Sequence, residues 1–219
     1  MSALQITSIV EDPELVQRRR KEIVAAATEL FSKQGFYRTT IKEIAALAGI
    51  SSGLVYQYVR EKDDVLLLVI LDVVEAYARE IPSALEGLEH PIDRLVATIG
   101  AYCRVVDKRR AATVLAYRST KSLSRDRRRL IQAREIETNQ LIAGAIADCI
   151  KSRLLRRINI DVLTYQIVLI AHGWALKSWY LKSRLSIEQY IRDSLDILLG
   201  TVLTPSGQKH YLARRSRRK

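Results

Sequence analysis

Apolar positions recur every three to four residues along most of this chain, between widely spaced breakers. Its prolines are Pro13, Pro82, Pro91 and Pro205, so the stretches 14–81 and 92–204 contain none. Glycine is sparse as well: between 92 and 199 it occurs at Gly100, Gly144 and Gly173. No Asn-Gly or Asp-Gly pair marks a hairpin turn. The pattern predicts an all-α chain. A first helix covers 14–34, with Ile23, Ala27, Leu30 and Phe31 on one face, and stops at Gly35. The next covers 40–48, with Ile41, Ile44, Ala45 and Ala48 inward, and stops at Gly49. A short helix over 52–58 follows the N-cap candidate Ser51. A fourth covers 62–81, and Pro82 to Pro91 forms a loop. Helices near 92–107, 110–120, 126–154, 160–183 and 187–203 complete the pattern, and 204–219 reads as a polar, basic tail.

The stretch Thr39 to Tyr58 carries the most information. Two short amphipathic helices meet at Ala48-Gly49-Ile50-Ser51. Gly49 can take the positive φ of a tight turn. Small Ala45 permits a close helix crossing, and Ile50 fills the wedge. This is the spacing of a helix-turn-helix, whose second helix enters the major groove by its N-terminal residues. On these residues the segment resembles the DNA-binding domain of the TetR family of transcriptional regulators. The match runs through Thr39, Thr40, Ile44, Ala45, Ala48, Gly49, Ser51, Gly53, Tyr56, Tyr58 and Lys62, preceded by Ala26, Leu30, Phe31 and Gly35-Phe36. Ile50 and Val59 depart from the usual Val and Phe but stay apolar. The resemblance covers 16–66, about a quarter of the chain.

The resemblance implies three parts: a three-helix DNA-binding domain at 14–64, a helical ligand-binding and dimerisation domain at 65–203, and the tail at 204–219. It implies that Ser52, Gly53 and Gln57 face base edges, with Gln57 able to pair with adenine. It implies backbone contacts from Thr39, Thr40, Ser51, Tyr56, Tyr58 and Lys62. Arg18, Arg19, Arg20 and Lys21 could reach the adjacent groove, and Lys42 and Arg60 are further phosphate candidates. Taken singly, a tyrosine here is as readily packing, and the Arg18–Lys21 run a solvated helix start. The family's last two long helices pair with their copies in a homodimer. Two apolar stripes are available: Ile167, Ile170, Ala171, Trp174, Ser178 and Leu181, and Ile187, Tyr190, Ile191, Ser194, Leu195, Leu198 and Val202. Each suits an intramolecular core or a dimer seam. A dimer would read a palindromic operator.

Charge alters this picture. The chain of 219 residues has 36 Lys+Arg against 24 Asp+Glu, net +12, which points to an anionic partner. Yet residues 1–64 hold nine of each sign. The surplus lies in 208–219, with six basic residues, and in 104–134, with eleven basic residues against Asp107 and Asp126. A solvated face explains the second cluster as well as an anionic effector does. An acyl-CoA would set its phosphates on basic side chains and its chain between helices. Candidates are Arg104, Arg109, Arg118, Lys121, Arg125 and Arg128, with Tyr102, Tyr117, Tyr165, His172 and Trp174 lining. An uncharged hydrophobic or aromatic effector is the alternative. The tail reads as a disordered solubilising end, or as an arm on DNA phosphates.

Other classes are weakly supported. The longest apolar run, Val65 to Leu71, is far short of the roughly 20 residues that span a bilayer. The first twenty residues lack a secretory apolar core. Cys103 and Cys149 fall in apolar helices, as buried small hydrophobes do, and the expected compartment is the cytoplasm. His90, His172 and His210 are far apart, so no metal site is expected, nor any cofactor or enzyme constellation. The reading is a dimeric repressor released by a small molecule. An activator or architectural DNA-binding protein without an effector, and a peripheral lipid binder, are the alternatives.

Overall fold

A computed structural model of the chain describes residues 6–216. They form eleven α-helices and a 3-10 turn: α1 (Pro13–Gln34), α2 (Ile41–Leu47), α3 (Ser52–Tyr58), α4 (Lys62–Ser83), α5 (Pro91–Lys108), α6 (Arg110–Ser119), the turn Thr120–Ser122, α7 (Arg125–Lys151), α8 (Ile160–Leu176), α9 (Ser178–Leu181), α10 (Ile187–Gly200) and α11 (Pro205–Ser216). No strand forms among the described residues; Leu155 and Leu203 make an isolated bridge. The chain is all-α, with the helix-turn-helix near its N-terminus. No helix among the described residues is long and apolar enough to cross a membrane.

The chain divides into two compact units. The first comprises 1–74 and 111–134; the second comprises 75–110 and 135–219. In the first, α1, α2 and α3 pack on one another. Ile23, Ala27, Phe31, Ile44, Ala45 and Val55 are buried there. Arg127, at the start of α7, is buried beside the start of α4. Its guanidinium donates to Asp64, to Glu61 at 2.8 Å and to Asp63 at 3.4 Å. Burial pulls the Arg127 pKa down, but hydrogen bonds to Glu61 and Asp64 outweigh it and leave the group above its ordinary value.

In the second unit α5 packs against α8, α10 and α11. Tyr77 and Tyr102 stack with ring centroids 4.0 Å apart. The Trp174 indole donates to Asp107 at 2.7 Å, and the Tyr190 hydroxyl donates to the Ile170 carbonyl at 2.7 Å. Cys103 and Cys149 are free and buried, and burial pushes both thiols up to about 12. Neither is a thiolate near neutral pH.

Three differences from the sequence pattern have local causes. The predicted helix 126–154 stops at Lys151 because Arg153 turns left-handed at φ 57°, and Leu154 N–H closes back on the Cys149 carbonyl. The predicted helix 160–183 breaks at Lys177, whose φ −112° and ψ 19° interrupt the ladder without Pro or Gly to signal it. The tail is not a disordered end within the described residues: 205–216 form α11. Gly207 and Tyr211 are buried, and the Tyr211 hydroxyl donates to Asp196 at 2.8 Å. Arg214 pairs with Asp93 and Arg215 with Asp196, each at 2.7 Å. Arg217, Arg218 and Lys219 lie outside the described residues.

Candidate nucleic-acid interface

Two side-chain caps define the short helices. The Thr40 hydroxyl accepts the Glu43 N–H, and the Glu43 carboxylate accepts from Thr40's backbone N–H at 2.7 Å: a reciprocal capping box. Bonds from the Thr40 backbone, the Thr40 hydroxyl and then Gln34 hold Glu43 below the usual carboxylate range. Ser51 caps α3, its hydroxyl accepting from Leu54 N–H at 3.1 Å. Between them Gly49 adopts φ 70°, and Ile50 N–H reaches the Ala45 carbonyl at 3.0 Å. Caps and turn fix where α3 begins and which face it exposes.

That face carries Gly53, Tyr56 and Gln57, all exposed, with Ser52 half-buried. Thr40, Lys42, Ser51 and Arg18 are exposed as well. Gly53 has no intramolecular reason to be glycine. Its φ is not positive, and a Cβ there would meet nothing nearer than Ser51 Oγ at 4.0 Å.

Several candidates have internal partners instead. Tyr58 is 2% exposed, and Thr39 is fully buried, its hydroxyl donating to the Gly35 carbonyl. Lys62 Nζ donates to the Tyr37 and Thr39 carbonyls at 3.2 and 2.9 Å and lies over the Phe36 ring. It tethers the turn before α2. Arg19 pairs with Glu22, whose hydrogen bond raises its pKa. Arg20 donates to the Tyr58 carbonyl and, at 2.6 Å, to the Ile6 carbonyl. Desolvation lowers the Arg20 pKa. The Gln57 carbonyl accepts from Ser8 Oγ and from Ile9 N–H, so residues before α1 close the end of α3. Two further exposed residues lie beside the predicted set but outside it: Tyr37, 79% exposed, and Arg38. They place an aromatic and a cation directly before the Thr39-Thr40 pair.

Comparison with known proteins agrees with this geometry. Residues 23–69 match the model of bacterial regulatory proteins of the tetR family, and 88–202 match a tetracyclin repressor-like C-terminal domain. The transcriptional regulator HbdR of Aromatoleum sp. (strain CIB) is 49% identical, over 94% of this chain and 90% of its own length. The chain belongs to the TetR family. This TetR-family protein is a transcriptional regulator and not an enzyme. It is also similar to the repressor KstR2 of Mycolicibacterium smegmatis, 25% identical over 91% of the chain and 98% of the relative. The structure of KstR2 from Mycobacterium tuberculosis superposes with a TM-score of 0.70 at 20% identity, covering 91% of this chain and all of that one. AibR, solved with isovaleryl coenzyme A and operator DNA, gives 0.70 at 18% identity, covering 82% and 97%. These two structural likenesses bear on the fold.

The regulator's predicted effector residues fall in both units. Tyr117, Arg118, Lys121, Arg125 and Arg128 belong to the first; Tyr102, Arg104, Arg109, Tyr165, His172 and Trp174 belong to the second. Much of the 104–134 charge is matched. Arg104 forms a two-pronged pair with Glu188 at 2.7 and 2.8 Å. Lys108 and Arg109 face Glu80, Arg110 faces Asp107, and Arg129 faces Asp126. Among the described residues Arg118, Lys121, Arg125 and Arg128 face no carboxylate at ion-pair distance, though Arg128 also donates to the Leu123 carbonyl at 2.6 Å. Tyr102 and Trp174 are buried, while Tyr117 and Tyr165 are about half exposed. The hydroxyls of Tyr77 and Tyr102 lie 3.5 and 3.4 Å from His172 Nε2, and burial lowers His172 to about 4. Tyr77 was not among the predicted residues.

The structure assigns the two faces of α8. Ile167, Ala171 and Trp174 form its buried face, so that stripe is intramolecular core. The opposite stripe, Val162, Tyr165, Leu169 and Leu176, is exposed, as are Trp179 and Tyr180 on α9 and Ile197 on α10. Nor are the histidines all apart: the imidazoles of His90 and His210 stack with centroids 3.4 Å from each other. Chain separation and the supposed disorder of the tail concealed that pair.

Proposed function

We propose that this regulator is a homodimeric repressor acting in the cytoplasm, that it reads a palindromic operator with α3, and that a small-molecule effector releases it. The observation that carries the DNA-contact assignment is Gly53: an exposed helical glycine that the fold does not require. Glycine in mid-helix costs about 0.5–1 kcal/mol against alanine, and a smaller amount in the first turn, where Gly53 stands. Close approach of an external backbone accounts for it. In this reading Ser52, Gly53 and Gln57 meet base edges. Thr40, Lys42, Ser51, Tyr56 and Arg18, joined by Tyr37, Arg38 and Arg60, supply phosphate contacts. Thr39, Tyr58, Lys62 and Arg19 contribute chiefly by holding the head together.

The exposed stripe of α8, with Ile197 of α10, supports dimerisation. Such a row of apolar side chains is what a two-fold seam buries. For the effector, the exposed cations Arg118, Lys121 and Arg125, with half-buried Arg128 beside them, favour an anionic molecule, and we choose a CoA thioester. The fold likeness to AibR, solved with isovaleryl coenzyme A, is consistent with this choice.

Selection of bound genomic fragments with the purified protein, followed by anisotropy on the recovered duplex, tests the operator assignment. The recovered sites should be inverted repeats. Leu169→Glu should give monomers in sedimentation. Titration of the protein–operator complex with an acyl-CoA panel should release DNA, and Arg118→Glu with Arg128→Glu should abolish release. Release that is unaffected by the charge reversals, or that occurs only with uncharged compounds, rejects the CoA assignment.

A further inference from the structure

Two of the chain's three histidines, 120 positions apart in sequence, come together in the second unit. His90 is the N-cap of α5, Asp93 lies in its first turn, and His210 lies on α11. One ligand atom from each of the three falls within 4.8 Å of the others. His210 Nε2 is 3.2 Å from Asp93 Oδ2. Two ligands held by one tetrahedral zinc at about 2.0–2.2 Å stand roughly 3.3 Å apart, so this pair already has the required edge length. All three residues are half-buried: screened, yet reachable from solvent.

We propose that His90, Asp93 and His210 form a site for a divalent transition-metal ion of the zinc, cobalt or nickel class. Two imidazoles and one carboxylate suit these borderline ions, whereas magnesium and calcium prefer all-oxygen sets. Three protein ligands leave a fourth position for water. The exchange is balanced in protons. The hydrogen between His210 Nε2 and Asp93 Oδ2 is displaced by the cation, and a neutral His210 then carries its proton on Nδ1. His90 Nδ1 now accepts the Ile92 N–H at 3.2 Å and its ring lies parallel to that of His210, so shared ligation requires the His90 imidazole to turn out of the stack, at the expense of the cap if Nδ1 is the ligand. Asp93 Oδ1 stays on Arg214 Nε at 2.7 Å, which orients the carboxylate toward the ion. Other soft donors do not compete, since Cys103 and Cys149 are buried. Metal binding would pin α11 to the start of α5. The inference is independent of the effector reading.

Titration of tag-free, chelator-treated full-length protein with cobalt(II) alone tests the site. One equivalent should produce visible d–d absorption, and zinc should displace it. His210→Asn and Asp93→Asn should each weaken binding at least about tenfold, while His172→Gln leaves it unchanged. Should either site variant fail to fold, carbethoxylation of the unaltered protein replaces it: zinc should protect His90 and His210 together. A cobalt spectrum that stays that of the hexa-aqua ion, binding that survives loss of both His90 and His210, or no protection by zinc overturns the proposal.

Discussion

Replacing Gly53 with alanine should move stability and DNA binding in opposite directions. Gly53 is the second residue of α3, and its φ is not positive. The added Cβ meets only Ser51 Oγ, at 4.0 Å, an ordinary van der Waals distance. Folding therefore gains part of what alanine gains over glycine in mid-helix, at most about 0.5 kcal/mol in this first turn. At a close protein–DNA contact the same methyl is an overpacked group, worth about 1–3 kcal/mol. That is roughly a ten- to hundredfold loss of operator affinity. Urea unfolding followed by far-ultraviolet dichroism reads the first quantity, and anisotropy with the selected operator at fixed salt reads the second. Affinity within about threefold of the unaltered protein would remove Gly53 from the interface. A fall in stability would show that the fold, rather than DNA, demands the glycine.

Arg127→Met should cost about 3–5 kcal/mol in urea unfolding, because Asp64, with 1% of its side chain exposed, loses its guanidinium; adding Asp64→Leu should recover much of this, and strictly additive costs would refute the coupling. Gly207→Ala would drive a Cβ into the Leu154 carbonyl oxygen, so α11 should detach and trypsin should cut sooner after Lys209; an unchanged digestion rate would contradict the docking. Burial lowers His172 to about 4, so the ring is neutral when folded, while an unfolded histidine takes up a proton near 6.5. The unfolded state then binds more protons between those values. Stability is full above about 6.5 and falls as pH drops toward 4, by about 2 kcal/mol between pH 7 and 5. His172→Gln should flatten that part of the profile, and an unaltered slope would point to other groups.

Short-range structure was legible in the sequence where a residue type carries its own geometry. Thr40 and Ser51 cap, Gly49 turns, and α3 begins and ends where the pattern places it, at Ser52–Tyr58. The end of α7 was not legible, because Arg153 takes a left-handed conformation usually given to glycine or asparagine. Nor was α11. Its composition is that of a solvated tail, and its order comes from tertiary contacts: Gly207 against Leu154, Tyr211 on Asp196, Arg214 on Asp93. The predicted interface residues share one segment but differ in exposure and internal partners. Spacing identified the segment, yet it could not separate Tyr56, which is exposed, from Tyr58, which is buried two positions later. The basic stretch 104–134 was legible only as a total, since a charge count does not see Glu80, Glu188 or the acidic trio before and within the first turn of α4.

The ties that close the reading head bear on how such heads could be exchanged. The last turn of α3 is finished by Ser8 and Ile9, and Arg20 joins Ile6 to Tyr58. Asp64 is balanced by an arginine 63 positions downstream. The transplantable piece is thus not a single interval of sequence. A chimera cut soon after Asp64 would inherit the carboxylates with only Arg60 beside them unless the recipient places an arginine where Arg127 stands. A donor segment begun at Pro13 would leave the Gln57 carbonyl open. Grafts between relatives should be chosen by these two correspondences before operator preference is considered.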